Sequence, residues 1–261
     1  MSLTLKKSKT TNARIGMNMK TELIQGAIFD MDGTLTPARL PMTAEFAIHF
    51  YEWQKNHKSF IATGSDLKKV GEQLPPSIIQ SFSGIYSSMG NVLTAKDELV
   101  YKRDFKPEKE LLDKLEYYRQ NTTYPGELYP NYIEQRIGMI NFSVLGRNCP
   151  HEERNKYSVW DKVSGERQRL ADELRAVFPQ YDISIGGSIS MDITPKGFGK
   201  GQIAQHLRQR YPDEKVIFFG DRTFEGGNDY ELAQALLKLE NTQVVQVASP
   251  EDVLMYLKNN G

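Results

Sequence analysis

The stretch Ala27–Thr36, AIFDMDGTLT, sets two aspartates one residue apart at the end of an apolar run and follows them with a glycine. The segment LIQGAIFD leading into it is apolar and β-branched and ends in turn chemistry, the pattern of a buried strand. Working outward, SFIATGSD (59–66) reads as a second strand running into a helix over Asp66–Leu74, and Thr43 suits the N-cap of a helix through Asn56. Near the C-terminus KVIFFGD and TQVVQVAS read as strands, each followed by a helical stretch. In the last of these helices Ser249 is the expected N-cap, with Pro250 in first position and acids in the first turn. Strands alternating with helices predict an α/β fold, a Rossmann-like parallel sheet covered on both faces.

The middle of the chain has another rhythm. KPEKELLDKLEYYRQN reads as a helix, NYIEQRIGMINFSVLG as strand with a glycine inside it, Pro150 to Phe178 as one long helical stretch, and ISIGGSISMDITP as strand again. Strands arriving in pairs predict an antiparallel sheet with helices on one side, an inserted α+β cap. The seams fall near Asp97 and Pro195. They assign 23–97 and 196–261 to a core and 98–195 to the cap, behind a basic tail over 1–22.

Composition narrows the class of partner. Lys+Arg and Asp+Glu are both 33, so net charge offers no reason to expect nucleic acid or an anionic membrane. Hydrophobic residues at 39% and charged residues at 25% are ordinary for a globular protein, and no apolar run approaches the roughly 20 residues of a spanning helix. Cys149 is the one cysteine, which excludes an intrachain disulfide and points to a reducing, cytoplasmic setting. The first 24 residues carry five basic residues before Glu22 and no secretory apolar region. They read as a terminal tail, with an organelle-targeting arm as the other reading.

In open parallel sheets reactive groups gather at the carboxyl ends of the strands. Here those ends bear Asp30 with Asp32, then Thr63 with Ser65, then Asp221, while Lys200 opens a helix in KGFGKGQ. These are the parts of a phosphoryl-transfer site. An anionic nucleophile approaching a phosphoester needs shielding, which a hard cation such as Mg²⁺ held by Asp30, Asp32 and Asp221 supplies. Asp30 suits the nucleophile, since a carboxylate is ionised at neutral pH without a base. Asp32 suits the general acid and base, lending its backbone carbonyl to the metal. Lys200 and a Ser or Thr hydroxyl would stabilise the transferring oxygens, and Gly33 would relieve the tight turn. A calcium loop is excluded by spacing, because its glycine stands sixth and here the glycine stands fourth. A helix-capping turn explains the two aspartates alone but not their companions.

FDMDGTLT, the strand ending in TGSD, Lys200 and FFGDRTFEGGND resemble the four motifs of the haloacid dehalogenase superfamily, and the insert resembles its type IIB cap. Whole segments, from about Ile24 to the C-terminus, resemble eukaryotic-type phosphomannomutases. Patterns of the kind F-D-x-D-G-T-L-T-x-x-R, E-x-R-x-G-M-x-N-x-S-x-x-G-R, E-E-R and G-x-I-S-x-D are all met. The resemblance implies Asp30 and Asp32 as catalytic residues, and Ser65, Thr63, Lys200 and Asn228 around the transferring phosphate. It implies Arg39, Arg136, Arg147, Arg154, Ser190 and Asp192 on the substrate. It further implies Mg²⁺, a hexose 1,6-bisphosphate activator, small hexose phosphates as partners and a homodimer joined through the caps. From the residues themselves, strict alternation in SISMDIT puts Ser190 and Asp192 on one strand face, and Arg147 and Arg154 flank a helix start at Pro150. A sugar-phosphate phosphatase of the same fold, or a non-catalytic sugar-phosphate binder, stays open beside the mutase. The chain departs from the family at Ser88–Met89, where relatives carry Glu-Asn, at Thr63, where they carry glycine, and in LAQALLKLE, where they carry the aspartate of a second ion loop.

Overall fold

The computed structural model describes residues 26–260, so the basic tail and the first residues of the opening strand lie outside the described residues. The chain runs β1 (Gly26–Phe29), α1 (Ala44–Gln54), β2 (Lys58–Ala62), α2 (Leu67–Gln73), α3 (Pro76–Ser81), β3 (Gly84–Ser87), a 3₁₀ turn at Ser88–Gly90, β4 (Val92–Ala95) and β5 (Glu98–Lys102). It continues through α4 (Lys109–Gln120), β6 (Ile133–Arg136), β7 (Met139–Phe142), α5 (His151–Ser164), α6 (Glu166–Val177), β8 (Tyr181–Gly186) and β9 (Ser190–Pro195). It returns as α7 (Gln202–Arg210), β10 (Val216–Gly220), α8 (Tyr230–Leu237), β11 (Thr242–Gln246) and α9 (Pro250–Asn260).

The large sheet has the order β11-β10-β1-β2-β3-β4-β5. Its strands from β11 to β3 are parallel, with β1 central between β10 and β2. β1 is wholly buried because both faces are covered. Phe29 points to one side, stacked on Phe219 at 5.1 Å and packed with Phe50 and Trp53 of α1. Ile28 points to the other, among Phe60, Phe218 and the inner faces of α7 and α8. The helix starts behave as their sequences predict. Thr43 accepts from the Phe46 N–H (3.3 Å), Asp66 from the Lys69 N–H (2.8 Å), and Asp252 reaches back to the Ser249 N–H (3.2 Å).

Two boundaries differ from the sequence expectation. Lys96 and Asp97 both take positive φ (51° and 63°), the two-residue turn that folds a hairpin back on itself. Residues 98–102 therefore form β5 on the edge of the large sheet instead of opening the cap. The stretch Pro150–Phe178 is two helices, because Gly165 turns left-handed (φ 65°) and its N–H closes on the Asp161 carbonyl (2.8 Å).

The small sheet is antiparallel, in the order β6-β7-β9-β8. One face packs Ile140, Phe142, Met191 and Ile193 against Leu111 and Leu115 of α4, Tyr157 of α5, and Leu170 and Leu174 of α6. The other carries a polar row in register, Glu134 opposite Asn141, Asn141 opposite Asp192, and Asp192 opposite Ser184. Among the described residues no helix is long and apolar enough to cross a membrane.

Candidate active site

Asp30 follows β1 directly and its N–H continues the parallel ladder to the Phe219 carbonyl (2.9 Å). Its carboxylate is buried beneath the carboxyl ends of the strands. Lys200, also fully buried, donates from Nζ to Asp30 Oδ1 (2.5 Å) and to Asp229 Oδ1 (2.7 Å). Asp221, at the end of β10, completes a cluster in which oxygens of Asp30, Asp221 and Asp229 lie within 4.8 Å of one another. Three carboxylates thus face one ammonium. Burial pushes the Asp30 carboxyl up, Lys200 pulls it down, and Asp229 and Asp221 push it up again, leaving it at about 7. Burial likewise raises Asp221, with Asp229 adding to it. Burial opposes the charge on Lys200, but Asp229 and Asp30 outweigh it and hold the ammonium above its ordinary range.

The donor set fits a hard divalent cation. It is all oxygen, and two of its buried atoms, Asp30 Oδ2 and Asp221 Oδ1, have no hydrogen-bond partner. Gly33 explains how the chain passes over the cluster. It takes φ +88°, and a Cβ there would lie 2.5 Å from Asp221 Oδ2. Asp229 is the member that sequence reasoning missed. Asn228 beside it is exposed, and no hydrogen bond joins it to Lys200, whereas Asp229 is buried against Lys200.

The Asp32 carboxylate is outside this cluster; its Oδ1 accepts from the backbone N–H of Arg39 (2.7 Å). Arg39 itself is exposed with positive φ (62°), on the core side of the site. Thr63 is buried, and its hydroxyl accepts from the Ser65 N–H (3.0 Å), so it shapes the loop that carries Ser65 at the end of β2.

On the cap, the polar row gathers the arginines. Glu134 receives Arg136 through Nε (3.0 Å) and Nη2 (3.2 Å) and also pairs with Arg147 Nε. Arg147 donates to Asn141, and Asn141 donates to Asp192 (2.5 Å). Arg154, in the first turns of α5, donates to the Arg147 carbonyl (3.3 Å). Ser190 is buried on the same strand face as Asp192, and its carbonyl is held by Arg167 (3.2 Å). Burial raises the Asp192 carboxyl, against the Asn141 hydrogen bond and the arginines. Glu134 and Asn141 stood in the sequence pattern without a role; the alternation of MINF around a buried Asn141 was the available signal. This face and the core open onto one cavity of about 440 Å³, lined by Met139, Asp192 and Thr194 from the cap and by Met89, Gly199 and Glu231 from the core.

A family model described as eukaryotic phosphomannomutase matches residues 47–260. The chain belongs to the eukaryotic phosphomannomutase family. It is 35% identical over 233 residues to a phosphomannomutase of Dendrobium officinale, covering 86% of this chain and 89% of that one. It is 33% identical over 241 residues to that of Triticum aestivum, covering 89% and 94%. Among solved structures, a haloacid dehalogenase-like hydrolase from Bacteroides thetaiotaomicron aligns with TM-score 0.60 at 12% identity, over 90% of this chain and 99% of that one. The fold is thus that of the haloacid dehalogenase superfamily, core and cap alike. The family match spans the whole cap, so the arginine row and the carboxylate cluster lie in a region the family shares, apart from Asp30, which precedes it.

Proposed function

We propose that this chain is a phosphomannomutase, interconverting mannose 6-phosphate and mannose 1-phosphate through an aspartyl-phosphate and a hexose 1,6-bisphosphate. The observation that carries the reading is the presence of two charged surfaces in one chain: the buried Asp30–Lys200–Asp229 cluster in the core and the Arg136–Glu134–Arg147 row on the cap sheet. A phosphatase needs the first surface. A mutase also needs a second anion site, because the phosphate that is not reacting must be held away from the nucleophile.

The chain's own groups fit the steps. Phosphorylated Asp30 passes its phosphoryl group to the free hydroxyl of the bound monophosphate. The resulting bisphosphate turns over, and Asp30 takes up the other phosphate. Asp30 is the carboxylate that bonds phosphorus; Lys200 holds its Oδ1, and Oδ2 has no hydrogen-bond partner. Lys200 neutralises charge on the transferring oxygens, and the Ser65 hydroxyl donates to them. Asp32 takes the proton from the attacking hydroxyl and returns it to the leaving one; the Arg39 N–H fixes its carboxylate. Arg136, Arg147 and Arg154 hold the distal phosphate, while Ser190 and Asp192 meet the sugar. Asp30, Asp221 and Asp229, with the Asp32 carbonyl, would hold Mg²⁺, which would neutralise the phosphoryl charge. A homodimer joined through the caps belongs to the same proposal, and sedimentation tests it.

The deciding experiment is phosphorus NMR of the purified protein with Mg²⁺, mannose 1-phosphate and a trace of hexose 1,6-bisphosphate. Conversion to the 6-phosphate with little inorganic phosphate is the expected result. Inorganic phosphate as the sole product refutes the mutase and makes the enzyme a phosphatase.

A further inference from the structure

The chain crosses between core and cap twice, at Arg103 after β5 and at Pro195–Gly199 after β9. Both crossings converge on the turn Ser88–Gly90, where three successive residues take positive φ (51°, 61° and 83°). For Ser88 and Met89 that conformation costs about 1–2 kcal/mol each and persists only where the surroundings impose it. Asn91 imposes it. Its amide, fully buried, donates to the Ser88 carbonyl (2.8 Å) and to the Phe198 carbonyl (2.8 Å), and its Oδ1 accepts from Gln202 (3.2 Å). Its backbone carbonyl accepts from the Arg103 N–H (2.8 Å).

Gln202 extends the network. Its Nε2 also reaches the Met89 and Phe198 carbonyls (3.0 Å each), and its Oε1 accepts from the Arg103 guanidinium. That guanidinium donates to the Gly197 carbonyl (3.0 Å) and lies 3.8 Å from the centre of the Phe198 ring. The cap rests directly on this node. Gly138, in the turn between β6 and β7, approaches so closely that a Cβ there would lie 2.4 Å from Asn91 Cγ. The hairpin that Gly138 closes is the one carrying Glu134, Arg136 and Asn141.

We propose that the Asn91–Gln202–Arg103 network is the latch that sets the cap over Asp30, and thereby the partition of the aspartyl-phosphate between sugar hydroxyl and water. The geometry stands by itself; the chemical consequence rests on the mutase reading above. Asn91 touches neither the nucleophile nor the arginines, so it is a positioning residue. Its side-chain amide joins the returning crossing, the strained turn and the cap hairpin, and its backbone carbonyl holds the outgoing crossing. Losing that amide takes one of two donors from each of the Ser88 and Phe198 carbonyls, whose other donors are the Asn91 backbone N–H and Gln202, and puts an apolar side chain against Gly138. The hairpin is then free to lift and water reaches the site. In the leak that follows, water oxygen bonds to phosphorus, the bond from phosphorus to the Asp30 oxygen breaks, and Asp30 regains its carboxylate. The water proton passes to Asp32 and inorganic phosphate departs.

The test uses Asn91→Leu in the full chain with Mg²⁺. Three quantities are read: inorganic phosphate released per mutase turnover, hydrolysis of phenyl phosphate, and backbone hydrogen exchange. The expected result is at least a tenfold rise in phosphate per turnover, with phenyl phosphate hydrolysis within threefold of the parent. Exchange should quicken in 103–108, 133–142 and 195–199 and stay unchanged in β1 and β10. An unchanged partition with unchanged exchange at the crossings overturns the latch, as does exchange that quickens equally in β1 and β10. If Asn91→Leu does not fold, Gly138→Ala, which leaves the core intact and pushes the hairpin off the amide, is read by the same criteria. A parent with no mutase activity would remove the functional reading, while exchange at the crossings would still decide whether the latch exists.

Discussion

Lys200→Met removes the one cation between Asp30 and Asp229 while keeping an unbranched chain of similar length. Both carboxylates are buried, so the change leaves like charges facing each other without compensation, a loss of about 3–5 kcal/mol for a broken buried pair. In a chain of this size each kcal/mol shifts the melting temperature by about 2–4 °C, so the variant should melt about 6–20 °C lower at pH 8 without metal. The loss should shrink as pH falls. In the parent Asp30 is raised from 3.8 to about 7, so the native state binds the extra proton. That contribution to stability is fully present below about 3.8 and gone above about 7. Without Lys200, which pulls Asp30 down, the proton is held to still higher pH, and the variant regains stability at pH 6 that it lacks at pH 8. Saturating Mg²⁺ should stabilise the variant more than the parent, because the metal then meets more uncompensated charge; at 100 times its dissociation constant it contributes about 2.7 kcal/mol. Thermal unfolding at pH 6 and 8, with and without Mg²⁺, reads all of this. A loss under about 1 kcal/mol, or one equal at both pH values, refutes the electrostatic account of the cluster.

Asp30→Asn should lower mutase turnover by at least about 1000-fold, and activity within tenfold of the parent would show that Asp30 is not the nucleophile. Gly33→Ala would set a methyl 2.5 Å from Asp221 Oδ2, so Mg²⁺ affinity by calorimetry should drop about 10- to 100-fold; unchanged affinity would remove Asp221 from the metal site. Arg147→Ala forfeits charge-assisted bonds worth about 1.5–3 kcal/mol each, so mutase kcat/KM should fall about 10- to 150-fold while phenyl phosphate hydrolysis holds, and equal losses on both would sink the distal-phosphate assignment. Glu134→Gln should act in the opposite sense on binding, tightening inorganic phosphate at the cap a few-fold in a calorimetric titration, since it removes the carboxylate that now occupies both guanidiniums.

What could be read from the chain was whatever repeats locally. Asp30 is legible because a buried run such as GAIF has to end somewhere, and charge placed at that end is out of place in a plain strand. Asp192 is legible because SISMDIT alternates. Asp229 is not, since its role depends on Lys200 arriving from the turn before α7, 29 residues earlier in the chain. Glu134 and Asn141 required strand register, which no single segment contains. Residues 98–102 were misassigned because the left-handed pair Lys96–Asp97 signals a turn of either kind, and only the pairing with β4 shows that the chain doubles back. Gly165 was absorbed into one helix because a lone glycine lowers helix propensity by only about 1 kcal/mol, too little to announce a stop. Thr63 shows a local role that the strand pattern does not announce: its hydroxyl accepts from the loop's own Ser65 N–H.

The two halves of the site are unfinished in complementary ways. In the core, three carboxylates share one ammonium, so negative charge is left over and a phosphate is repelled until a divalent cation is present. In the cap, Arg136 and Arg147 are already matched by Glu134, and Arg147 also holds Asn141, so a phosphate arriving there has to displace a carboxylate from a ready-made fork. An isolated phosphate therefore meets a competitor in either half. A ligand with two anionic groups far enough apart to reach both halves meets both demands at once, because binding at one end holds the other at high effective concentration. The bisphosphate, not either monophosphate, is thus the species this charge pattern favours, which is what a mutase requires of an intermediate that must turn over before it escapes. The same reasoning explains why the latch at Asn91 matters: the favour lasts only while the cap holds its place over the core.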